Sequence, residues 1–96
     1  ALRIARKDST ELASYDENKF VDDANFNNQP LDNLIEQFKV ARLNNILMFD
    51  SFDEEALQLT GIAGGNKLSV RAIAYILAGH VFHHTNILKE RYLPNL

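Results

Sequence analysis

The sequence holds no cysteine and no tryptophan. Disulfides, thiolate metal ligands and cysteine nucleophiles are therefore excluded at once. Two prolines and four glycines in 96 residues are too few for a collagen-like or low-complexity chain. Basic charge is not in excess: ten Lys and Arg stand against thirteen Asp and Glu, a formal net charge of −3. The cations are scattered along the chain, so no phosphate-tracking stripe forms and nucleic acid is not an expected partner. No run approaches the roughly 18 consecutive apolar residues of a membrane-spanning helix. Residues Ala1 to Lys7 also lack the apolar region of a secretory signal. The expectation is a soluble, cytoplasmic protein without a membrane partner.

What is present fits one small globular unit, with 46% apolar and 24% charged residues. A chain this short buries only about 60–65% of its unfolded surface, so a long apolar stripe needs a partner. Residues 1–7 carry no cap and no initiator Met and read as the tail of an earlier helix, which makes the chain a fragment in this reading. Residues 8–29 are polar and rich in Asn and Asp, with Tyr15, Phe20, Val21 and Phe26 as anchors. They read as a long ordered connection with a short helical turn capped by Asp16.

Pro30 at a first helical position, with Asp32 in the first turn, opens a long helix over 30–50. Its apolar row runs through Leu31, Leu34, Ile35, Phe38, Ala41, Met48 and Phe49, and a second row through Val40, Leu43, Ile46 and Leu47. That is wider than one neighbour covers and predicts packing against two helices. Ser51-Phe52-Asp53-Glu54 matches a capping box and predicts a short helix over 53–60. Gly64-Gly65-Asn66 supplies a turn tolerant of positive φ. Ser69 then caps a final helix over 69–92, whose stripe runs through Val70, Ile73, Leu77, His80, His84, Ile87 and Arg91.

His80 and His84 are therefore the candidate metal ligands. Four residues apart on a helix, they lie on one face at a spacing that lets two imidazoles grip one ion. His83 is rotated by about 100° from His84 and points elsewhere; it reads as a rim residue. Both of these two core-stripe histidines are expected to face the bundle interior, with His83 more exposed. Gly79, costly in a helix interior by about 1 kcal/mol relative to Ala, hints at a cavity. The bare spacing is weak by itself, because it lacks the Glu of H-E-x-x-H. No rival catalytic set appears: Ser69 has no base nearby, and Asp53, Glu54 and Glu55 read as the solvated first turn of a helix. Arg42 reads as a packed stem with its head at the surface, or as an anion-binding group near the bundle mouth. Tyr75 reads as packing.

The run Leu68-Ser69-Val70-Arg71-Ala72-Ile73-Ala74-Tyr75-Ile76-Leu77-Ala78-Gly79-His80-Val81-Phe82-His83-His84 closely resembles the final helix of the DinB-like (YfiT-like) family, whose pattern there is similar to V-R-A-x-A-x-x-x-x-G-H-x-x-H-H. The order of the other segments is similar as well: the opening Ala1–Lys7, the connection with Tyr15-Asp16-Glu17 and Asn25-Phe26, the helix from Leu34 to Arg42 and the turn at Ser51. The resemblance implies an all-α four-helix bundle, of which this chain holds the C-terminal half plus the long connection. It also implies a divalent metal, zinc or nickel, held by three histidines. Two of these match His80 and His84, and the third falls on an earlier helix with no counterpart in these 96 residues.

Two functions follow as expectations. In the first, the chain is part of a metal-dependent hydrolase, or of a thiol S-transferase like the bacillithiol-transferase-like members, with a small-molecule thiol as substrate. In the second, it is a non-catalytic structural or interaction module whose histidines are vestigial or core residues. In either case the apolar faces predict a partner, either a second copy in a homodimer or the missing N-terminal helices of the same protein.

Overall fold

A computed structural model describes residues 1–96. The chain is mostly helical, with one small sheet. In chain order the elements are α1 (Leu2–Ala5), α2 (Glu17–Ala24), α3 (Leu31–Asp50), α4 (Glu54–Gln58), the strands β1 (Thr60–Ala63) and β2 (Asn66–Ser69), and α5 (Val70–Ile87). A 3-10 turn over Phe26–Asn28 leads into α3, and α5 runs on through a π turn over Leu88–Tyr92 into a last 3-10 turn over Leu93–Asn95. No helix is long and apolar enough to cross a membrane.

The first helix has few interactions of its own and is fixed by one side chain. Ile4 is 3% exposed, and it fills the space above Gly61, where an added Cβ would stand 2.7 Å from its Cγ1. Around this contact a small body assembles from α1, α4, the hairpin and the start of α5. Val70, fully buried, anchors α5 there, and its amide donates to the Leu59 carbonyl at 2.9 Å. Leu12 adds one residue of parallel pairing beside Ala63: its amide donates to the Ile62 carbonyl, and its carbonyl accepts from the Gly64 amide.

The hairpin is a correction to the reading of residues 59–69 as a helix end, a turn and a cap. Thr60 pairs with Ser69 and Ala63 with Asn66, antiparallel. Gly64 and Gly65 form its two-residue turn with φ of 55° and 80°, the double positive φ that a tight hairpin matching strand twist requires. The short helix is also shorter than expected, and its cap differs. Asp53, not Ser51, caps α4, its carboxylate accepting from the Ala56 amide at 2.8 Å. Ser51 still lies in the closing turn of α3 and donates its hydroxyl to the Met48 carbonyl. The other two caps are as read: Asp16 accepts from the Lys19 amide, and Ser69 accepts from the Ala72 amide. Pro30 sits one residue earlier than read, at the position before the first helical residue.

Beyond the small body, α3 and the C-terminal half of α5 project side by side. The chain measures 46 × 26 × 24 Å, with a radius of gyration of 16.0 Å, whereas a compact domain of this length has about 13 Å. Only Ile4 and Val70 are buried. In α3, residues Leu31, Ile35, Phe38, Val40, Leu43, Ile46 and Leu47 are all exposed. This apolar surface is the direct structural counterpart of a two-sided pattern of apolar residues.

Candidate metal centre

Ser69 starts α5, and from there a regular helix carries His80 and His84 one turn apart on one side. Their Nε2 atoms lie 3.1 Å apart, with ring centroids 4.5 Å apart and rings nearly perpendicular. One imidazole donates an Nε2 proton to the other, since two bare lone pairs would repel at this distance. The same separation suits a shared cation. Two imidazole nitrogens each about 2.0–2.1 Å from one zinc ion, at a tetrahedral angle, stand roughly 3.3 Å apart. The pair therefore fits as two ligands of one ion, and only small rotations separate the hydrogen-bonded pair from a chelating one.

No group of three His, Asp or Glu side chains in the chain could hold a metal. The donor set fits as a pair and not as a closed site.

The setting of the pair departs from the expectation of an interior location. His80, His83 and His84 are all exposed, so exposure does not set His83 apart from the other two. The His83 ring lies 5.3 Å from that of His84. The cause is where the body ends. At about 100° per residue, His80 and His84 continue the line of Ile73 and Leu77, which are half-buried, Leu77 on the side toward α3. One and two turns further on, the same line has left that body behind. Gly79 likewise meets nothing, since a Cβ there would have no neighbour within 4 Å.

An apolar groove of about 520 Å³ lies elsewhere, between α3 and α5. Phe38, Ile46 and Phe49 form one wall, and Ala74, Ala78, Val81 and Phe82 form the other. Ala74, Ala78 and Phe82, four residues apart, were not singled out in the sequence, although small residues at that spacing signal a close-packed or grooved helix face. Arg42 reaches into this groove, half-buried, with its guanidinium 5.1 Å from the Phe38 ring centre. It makes no ion pair within the chain.

The remaining candidates have structural roles. Glu54 pairs with Arg71 and accepts from Gln58, and the Arg71 contact foremost holds its carboxyl below the usual range. Glu55 pairs at the surface with Lys7, just after α1, at 3.2 Å. Asp53 and Ser69 are caps, and Tyr75 is exposed.

No family model, no curated protein and no solved structure matches this chain.

Proposed function

We propose that this chain is the C-terminal half of a DinB-like bundle, and that His80 and His84 are two of the three histidine ligands of a divalent metal, zinc or nickel. The observation that carries the reading is the 3.1 Å approach of the two Nε2 atoms on one face of α5, within a helix whose sequence resembles the family's own. The third ligand comes from an earlier helix of the same protein or from a second copy. Zinc and nickel suit imidazole donors.

The bound ion would supply Lewis acidity and a lowered pKa for a coordinated water or thiol. The chain's own part is to hold two imidazoles with Nε2 converging, on a helix anchored at Val70. Two protein nitrogens from α5 and one from elsewhere leave a coordination position free for substrate, as a catalytic site requires. The reaction class that follows is metal-dependent hydrolysis or transfer of a small-molecule thiol.

Completion of the bundle also accounts for the surface of α3 and α5. Covering helices would lie along the exposed continuation of the Ile73–Leu77 line, which places His80 and His84 inside. The second reading, a non-catalytic module with vestigial histidines, is favoured by one observation: the chain offers no third ligand. Metal analysis by mass spectrometry separates the two readings. The protein isolated from its own cells should carry about one divalent ion per copy of this chain and lose it in His80→Ala; no ion in either would leave the module.

A further inference from the structure

The groove between α3 and α5 opens on the side away from the histidine pair. Ala78 and Phe82, which line it, lie about 120–160° round α5 from His80 and His84, at about 100° per residue. Helices that cover the histidine side therefore leave the groove side as it stands. There Phe38, Ile46 and Phe82 are 50%, 58% and 70% exposed. Ile46, read from the sequence with the second row of α3, belongs to this face.

Two charges lie in the groove, and they decide what fits. Arg42 and Asp50 both line it, and neither has an ion-pair partner in this chain, where only Arg3–Asp8, Lys7–Glu55 and Arg71–Glu54 pair. They flank Ile46 on a single ridge of α3 with a step of four residues. A cation one turn before an apolar centre and an anion one turn after it are self-complementary under a twofold axis that sets two copies antiparallel. With the axis level with Ile46, that residue meets its own copy, and Arg42 of each chain stands level with Asp50 of the other. Like charges stay about 12 Å apart along the helix, at a rise of about 1.5 Å per residue, beyond the screening length of about 8 Å. Lys39, on the same flank of α3, comes about level with Asp53 at the acidic end of the other copy's α3. Glu36 falls farther round, among Val40, Leu43 and Leu47 on the outer side, and takes no part.

The wall formed by α5 obeys the same axis. The residues that line the groove are centred near Asn45 in α3 and near Ala78 in α5, so the axis passes close to Ala78 as well. Phe82 of one copy then lies over Ala74 of the other, a large side chain against a small one, as close packing requires. We infer that the groove face of α3 and α5 is an isologous interface between two copies of this protein, packed antiparallel about Ile46 and Ala78 and held in register by reciprocal Arg42–Asp50 pairs.

This interface stands whether or not His80 and His84 bind a metal. Sedimentation equilibrium of the protein tests it through a charge cycle. Asp50→Arg, at an exposed position, sets two pairs of like charges against each other and should raise the dimer dissociation constant about tenfold or more. Arg42→Glu should do the same, and the double exchange Arg42→Glu with Asp50→Arg should restore association, with the circular dichroism of the unaltered protein in all three. Because the sequence has no cysteine, single introduced cysteines give a second reading. Ile46→Cys should form a disulfide dimer on mild oxidation, whereas Gln37→Cys, on the opposite side of α3, should not. If Arg42→Glu loses helicity, Asp50→Arg and the two cysteine variants decide the matter.

A monomeric protein would overturn the inference. So would a dimer indifferent to Asp50→Arg, or a dimer cross-linked through Gln37→Cys and not through Ile46→Cys; the last would assign self-association to the histidine side.

Discussion

The side chain of Ile4 occupies the space that a β-carbon on Gly61 would need, with Cγ1 and Cδ1 at 2.7 and 2.8 Å from that position. This contact joins the first helix to the hairpin, and it explains why a glycine interrupts a strand, where it normally weakens pairing. Gly61→Ala should destabilise the small body by about 1–3 kcal/mol, the usual cost of overpacking. Ile4→Ala should cost about 2–5 kcal/mol by leaving a void. If the contact is the cause, Gly61→Ala should be far milder in the Ile4→Ala background than alone, and urea denaturation of the four proteins measures this coupling.

The Asp8 carboxyl is held down to about 2 by hydrogen bonds from Thr10, through hydroxyl and amide, and by Arg3. Its depressed value means that the folded form favours the carboxylate. The stabilisation is complete above the unfolded carboxyl's ordinary range near pH 4 and is lost as pH falls through about 2. Asp8→Asn should therefore lower stability at neutral pH and flatten the acid limb between about pH 4 and 2. Denaturation midpoints of both proteins across that window check it; parallel acid limbs would show that Asp8 is uncoupled from folding.

Both long helices were legible in the sequence because their signals are local. Asp32 after Pro30 announces α3, and Ser69 caps α5 as its position before the apolar run suggests. The capping box failed because two candidate caps lie two residues apart. Ser51 is still held by the last turn of α3, φ −78° and ψ −12°, which leaves Asp53 to take the extended conformation of a cap. The hairpin was illegible for a different reason. Its four-residue strands carry a glycine and little alternation, and it forms through non-local contacts: Gly61 under Ile4, and Leu12 beside Ala63.

The His80–His84 spacing was legible, since it follows from helix geometry alone. Their exposure was not, because periodicity gives the direction of a side chain and not whether another element reaches it. Separating Ile46 from the row of Val40, Leu43 and Leu47 also needed the helix in place, with its groove side defined by α5.

A histidine pair on one helix is a modest chelate. Calorimetric zinc titration of this 96-residue chain should show binding weaker than about micromolar, since two imidazoles supply only part of a tetrahedral set. Submicromolar affinity would mean that a third ligand is supplied by a second copy, and a stoichiometry of one ion per two chains would identify it.

The central claim is that His80 and His84 act together on one ion through Nε2, and nitrogen-15 imidazole spectra read this directly. Adding zinc to the labelled chain should shift the Nε2 resonances of His80 and His84 in concert, with one common titration curve, and leave those of His83 in place. The His80→Ala protein should lose the His84 shift as well. Independent titration of the three rings, or a His84 response that survives in His80→Ala, would contradict the shared site.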